Sequence, residues 1–310
     1  MSDPSRSHRS SVSVGYAYLM AAALMWGSVS LVVRKVDIPE AALVLCRVWL
    51  GAVGVGGYLL VTRFLPHHTP RPRPSRLEFA GLAATGCVLA VHWLAMFTAV
   101  RRLPVATALL LTYGGPVLAA ILAPITIREA RDSRALVALG MCVVGMALVT
   151  GPGLLEGRLD GLGVAVGLAS AVSFAALILL GKSLVSRVAP EQVAFGQLLT
   201  AGIVLMPAAG FGWRWPAGWG WVLVAILGLL HTAVGGLLYF RGLERVRAQH
   251  AGVLAYLEPV SGTAYAGMFL GETPGVLTVI GGLSVLGGGA LLVSGAAGRE
   301  AAEPKGPGDR

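Results

Sequence analysis

Apolar and polar stretches alternate ten times along the chain. The apolar runs are Val14 to Val33 and then roughly 39–62, 77–98, 104–127, 134–151, 160–181, 190–210, 219–240, 250–271 and 275–296. A helix rises 1.5 Å per residue, so about 20 apolar residues cross a hydrocarbon core of about 30 Å. The runs are close to that length and their connections are short, which predicts an all-α membrane protein with ten transmembrane helices. Gly and Pro interrupt several runs, as Pro116 and Pro124 do in the fourth. In lipid they do not veto a span. The first run is longer than the apolar part of a typical signal peptide and lacks a small-x-small site ahead of Arg34-Lys35, so it reads as a retained helix. Residues 1–13 and 297–310 are expected to be disordered polar tails, and Arg63 to Arg76 a Pro-rich basic loop.

One run departs from plain hydrophobicity. From Leu254 to Gly275 the chain carries Glu258 beside Pro259 and ends in Gly-Glu-Thr-Pro-Gly. A carboxylate at membrane depth is costly unless it faces protein, water or a counter-charge, so it reads as functional by default. The proline leaves a backbone carbonyl unpaired, which is tolerated where the helix packs on a neighbour or lines a cavity. Leu110 to Glu129 has the same plan, with Tyr113, Pro116 and a closing Glu129.

The similarity is a register. At an offset of 143 residues Phe97 meets Phe240, Arg102 meets Arg245, Tyr113 meets Tyr256, Pro116 meets Pro259, Glu129 meets Glu272 and Gly145 meets Gly288, without a gap. The chain therefore divides into a first repeat, 14–151, and a second, 160–296, of five spans each. An odd number of spans turns the second copy upside down relative to the first.

Composition agrees with a membrane and narrows the rest. Of 310 residues 55% are hydrophobic and 13% charged, where soluble domains carry about 25% charged residues. The net charge of +9 sits in short loops, with no stripe to follow a phosphate backbone, so no nucleic-acid partner is expected. Seventeen of the 24 Lys and Arg fall on one side of the ten-span arrangement and six on the other, with Arg47 inside a helix. That bias places both termini in the cytoplasm of a multi-pass protein of the cell (inner) membrane. Cys46, Cys87 and Cys142 lie in apolar runs without paired spacing, so neither a disulfide nor a metal site is indicated.

These features resemble the EamA-like branch of the drug/metabolite transporter superfamily. The resemblance is carried by Trp26-Gly27-Ser28, Arg47, the two Pro-Val…Glu helices, and Leu257-Glu258-Pro259-Val260 followed by Leu270-Gly271-Glu272. It covers residues 14 to about 296. It implies ten helices as two inverted repeats around a central cavity, moving small metabolites such as amino acids or amphipathic compounds, often outward. Two departures stand out: Ile127-Arg128-Glu129 replaces the usual Leu-Gly-Glu, and His92 and His231 are not part of the pattern.

Glu258 and Arg47 each lie eight residues into their helices from opposite faces, about 12 Å deep and so near the midplane. Glu258 serves either as a proton carrier or ammonium anchor, or as a structural carboxylate, with a salt bridge to Arg47 within reach. His92 and His231 occupy corresponding helices one turn out of register, and suit either proton exchange or interhelical hydrogen bonding. Tyr113 and Tyr256 precede Pro116 and Pro259 by three residues, on the kinked face, where they line a cavity or pack between helices. Trp26 is too deep for an interfacial belt, unlike Trp213, Trp215, Trp219 and Trp221. No P-loop is present, so ATP hydrolysis does not drive the protein, and no cofactor is expected.

The leading expectation is a monomeric secondary transporter of small organic solutes in the lipid bilayer, exporting by alternating access. The alternative is a membrane-embedded enzyme acting on a lipid or peptide, which would need convergent acids and a histidine where only one deep acid exists.

Overall fold

The computed structural model describes residues 4–65, 73–154, 160–207 and 214–302, and among them the chain is helical with no strand. Residues 66–72 of the expected 63–76 loop, and Trp213, lie outside the described residues. In order the helices are α1 (Pro4–Gly27), α2 (Val29–Val33), α3 (Glu40–Thr62), α4 (Arg76–Arg102), α5 (Val105–Thr112), α6 (Gly114–Thr126), α7 (Ser133–Leu154), α8 (Gly161–Val185) and α9 (Pro190–Leu205). Then follow α10 (Gly220–Ala225), a π-helical stretch (Ile226–Val234), α11 (Gly235–Arg245), α12 (Ala248–Ala255), α13 (Leu257–Leu270) and α14 (Val276–Ala302). The Ser-rich stretch ahead of Val14 continues α1 back to Pro4, and α14 runs on to Ala302.

Eight of the ten expected spans are long and apolar enough, among the described residues, to cross a membrane. The other two are helical but fall short for physical reasons. Helix α9 has 16 residues, and the α12–α13 pair dilutes its apolar content with Glu258, Ser261 and Thr263.

The sequence register returns as a register of helix ends. Helices α5 and α12 begin at 105 and 248, α6 and α13 at 114 and 257, and α7 and α14 at 133 and 276, each pair 143 residues apart. Leu103 and Val246 end the preceding helices in the same extended conformation, φ −121° in both. Pro104 enforces that turn in the first copy, since the residue before proline avoids the helical region. Arg247 stands in its place in the second and the turn survives.

Packing between the copies is reciprocal and runs through glycine. A Cβ on Gly145 of α7 would lie 2.5 Å from the Gly281 carbonyl of α14, and one on Gly288 would lie 2.7 Å from the Ala138 carbonyl. Gly281 and Gly288 are the repeat counterparts of Ala138 and Gly145, so the contact is made twice with the roles exchanged. As residue numbers rise along α7 their partners fall along α14, with Met141 against Ser284 between them, so the two helices run antiparallel. Gly15 of α1 packs on Arg245 and Val246 as Gly163 of α8 packs on Arg102 and Leu103. Small residues at these crossings let helix backbones approach where the bilayer offers no hydrophobic drive.

Chain direction gives the bundle two ends, named here by a residue at each. The Arg34 end holds Arg34, Arg102, Asp160 and Glu272, and the Arg247 end holds Glu129, Asp132, Lys182, Arg245 and Arg247.

Candidate functional site

The two broken helices meet at their breaks. A proline clashes with the carbonyl four residues earlier and cannot donate to it. Pro116 and Pro259 therefore strand the carbonyls of Thr112 and Ala255, the last residues of α5 and α12. Tyr113 and Tyr256 fill the gaps. The Tyr256 hydroxyl donates to the Tyr113 carbonyl at 2.6 Å, and the two rings lie 5.5 Å apart. Tyr256 is 1% exposed. Helix α12 lies close on α6 there, since a Cβ on Gly252 would sit 3.2 Å from the Pro116 carbonyl.

Glu258 follows two residues past Tyr256, at the start of α13, and is half-buried. The Tyr113 hydroxyl interacts with its carboxylate, and Arg47 reaches it electrostatically. The expected salt bridge is not made. Arg47 Nε donates to Thr232 Oγ1 at 2.7 Å, and the guanidinium lies over Trp93, 5.1 Å from the ring centroid. Its two terminal nitrogens have no hydrogen-bond partner among the described residues and are not sealed from solvent. A carboxylate and a guanidinium fork thus face the same interior without quenching each other.

The Trp26-Gly27-Ser28 segment supports that interior from α1. Trp26 Nε1 donates to the His231 carbonyl at 2.7 Å, and its ring meets Tyr239 at 5.5 Å. Gly27 is small because α13 passes close: a Cβ there would lie 2.8 Å from the Glu258 carbonyl. Ser28 Oγ lies 2.9 Å from His231 Nε2. The π-helical turn makes this possible, since in it His231 Nδ1 and Thr232 Oγ1 both bond carbonyls five residues back. Such turns recur at functional sites because they re-aim side chains.

His92 and His231 sit one turn out of register yet bind equivalent neighbours. His92 Nδ1 lies 3.0 Å from the Ser170 carbonyl and 3.2 Å from Ser170 Oγ on α8, as His231 pairs with Ser28 just past the end of α1. Both are buried interhelical hydrogen-bonding groups in this structure. Phe174 of α8 joins the aromatic wall, 5.1 Å from His92 and 6.2 Å from Tyr113.

The expected residues therefore fall into one neighbourhood linked by contacts. Pro116 and Pro259 make the breaks, Tyr113, Tyr256, Glu258 and Arg47 surround them, and Trp26 and His231 brace the second repeat. Sequence reasoning missed Thr232, Trp93, Phe174 and Tyr239. Aromatic and hydroxyl side chains in apolar runs carry no spacing signal that separates lining from packing.

An all-helical protein with several membrane-crossing helices, whose two broken helices meet beside a half-buried carboxylate, has the build of a multi-pass transport protein. The chain belongs to the EamA-like transporter family, whose model matches residues 13–151 and 161–294. It is 28% identical over 279 residues to an uncharacterized transporter of Archaeoglobus fulgidus, covering 88% of this chain and 94% of that one. It is 23% identical over 297 residues to the uncharacterized transporter YxxF of Bacillus subtilis, covering 94% and 93%. A solved structure described only as "Crystal structure of protein" has the same fold, with a TM-score of 0.77 at 21% identity over 92% of this chain and 99% of the other.

Proposed function

We propose that the protein is a secondary transporter of small zwitterionic or amphipathic organic metabolites, amino acids among them, and that it works as an exporter. Two inverted five-helix repeats, ten crossings in all, rock about a polar hollow between Glu258 and Arg47. The protein lies in the cell (inner) membrane as a monomer with both termini in the cytoplasm. The observation that carries this reading is the separation of Glu258 from Arg47. A carboxylate that engages Tyr113 and a guanidinium whose fork is unspent can take the ammonium and the carboxylate of one solute. The aromatic faces of Trp26, Tyr113, Phe174 and Tyr239 suit an apolar side chain beside them.

The test is flux of labelled amino acids and amphipathic amines in proteoliposomes, with and without a pH gradient. Glu258→Gln is expected to fold, because Tyr113 can donate equally to an amide oxygen, and to lose at least about 10-fold in flux, the cost of one charge-assisted contact. Unchanged flux in the variant contradicts a solute-binding role for Glu258.

A further inference from the structure

At the Arg247 end, Glu129 caps α12. Its two carboxylate oxygens accept the Ala248 backbone N–H at 2.8 and 3.0 Å. A helix start has donors without intrahelical partners and a positive dipole end, so a carboxylate is a good cap.

Glu272 is the repeat counterpart of Glu129 and is presented by the same turn. Arg128 and Gly271, themselves 143 residues apart, both take left-handed backbone, with φ 57° and 70°. The Glu129 and Glu272 N–H groups donate to the carbonyls of Ala123 and Ala266, each at 3.4 Å. Ala123 and Ala266 are again 143 apart. Glu272 nevertheless caps no helix here: it pairs with Arg34 on the surface, both about half exposed. The counterpart of Ala248 is Val105, the first residue of α5, which is 56% exposed. Two residues further in, the Thr107 hydroxyl is buried and has no hydrogen-bond partner among the described residues, at the position His250 holds in α12.

We infer that Glu129 and Glu272 are alternating caps. When the Arg34 end closes, Glu272 leaves Arg34 and accepts the Val105 backbone N–H at the start of α5, while Glu129 releases Ala248. Both glutamates are positioning residues, setting which broken helix is docked rather than touching the solute. The inference rests on the alternating-access reading above. Inverted repeats reach their second state by exchanging roles, and the cap already made at one end shows the contact to be exchanged. The swap exchanges one capped helix start for the other.

The test uses the full chain in proteoliposomes with Cys46, Cys87 and Cys142 replaced by Ala. One cysteine pair, Arg247→Cys with Ala130→Cys, reports closure of the Arg247 end, where Arg247 now reaches the Ala130 carbonyl at 3.5 Å. The counterpart pair, Pro104→Cys with Thr273→Cys, reports closure of the Arg34 end. With a short bifunctional thiol reagent, Glu272→Gln is expected to lower the yield of the second pair about threefold, and Arg34→Ala and Glu129→Gln to raise it about threefold, the ratio a charge–dipole contact at a helix end supports. The opposite signs of Glu272→Gln and Arg34→Ala exclude a general loss of fold. A yield indifferent to both overturns the inference. Solute flux in the same vesicles separates the two ideas. Flux with unresponsive cross-links defeats the caps alone, and responsive cross-links without flux support the caps while defeating transport.

Discussion

The two ends of the bundle are built from copies of one sequence, and among the described residues the Arg247 end carries a buried polar network whose members are not repeated at the other. At the Arg247 end Asp132 is 3% exposed, takes a contact from His250 Nε2 at 3.0 Å and ion-pairs with Arg247 at 3.7 Å. Its carboxylate can only accept, so Nε2 carries the imidazole proton and Nδ1 accepts from the Tyr16 hydroxyl at 2.6 Å. Gln249 joins the Ala130 carbonyl to the Asp132 N–H, and Lys182 Nζ reaches the Leu243 and Val246 carbonyls at 2.8 and 2.6 Å. At the Arg34 end the counterparts of Asp132, Arg247, Gln249 and His250 are Gly275, Pro104, Ala106 and Thr107. Pairs seen there include Arg34–Glu272 and Arg102–Asp160, both exposed. Exposed pairs contribute about 0–1 kcal/mol each, whereas removing one partner of a buried pair costs about 3–5 kcal/mol. The two copies thus share an architecture while differing, among the described residues, in the buried network built on Asp132.

The largest expected effect comes from breaking that network. Asp132→Ala strands His250 and Arg247, while the backbone N–H that Gln249 takes survives, and is expected to cost about 3 kcal/mol or more. It should open the Arg247 end, measured as labelling of Ala248→Cys by a membrane-impermeant thiol reagent. Labelling as slow as in the parent would show that the polar network does not hold this end.

A smaller effect separates the two tyrosines at the junction. Tyr256→Phe leaves the buried Tyr113 carbonyl unpaired and should cost about 1–3 kcal/mol in thermal unfolding. Tyr113→Phe loses only a contact to Glu258, so it should alter flux more than stability. Equal stability loss in the two variants would erase the distinction. The smallest effect is a gain. Arg128 holds a left-handed backbone that Gly271 holds without strain in the other copy, so Arg128→Gly should stabilise the chain by about 1 kcal/mol. A lowered melting temperature would count against the turn being strained.

Much of this was legible in sequence because a gapless register fixes helix ends as well as residue types. The breaks at Tyr113 and Tyr256 follow from Pro116 and Pro259 by elementary backbone geometry. Hydropathy placed all ten apolar runs on helices, yet α9 and the α12–α13 pair lack the length or apolar content of an independent span. The Arg128 departure from Leu-Gly-Glu was visible, but its meaning needed the backbone angle. The Asp132–His250 contact was not legible at all, since it joins residues 118 apart and has no counterpart in the other copy. The depth of Glu258 and Arg47 could be read from helix rise. Their separation could not, because Thr232 and Trp93 claim Arg47 through a π-helical turn that no periodicity announces.

The central claim is that solute crosses only if the sealed end changes. Cross-linking Arg247→Cys to Ala130→Cys in a cysteine-free background holds the Arg247 end shut, and labelled solute flux is then followed in proteoliposomes. Flux should fall to the level of empty vesicles and return when the link is cleaved by reductant. Undiminished flux through fully cross-linked protein would contradict the account.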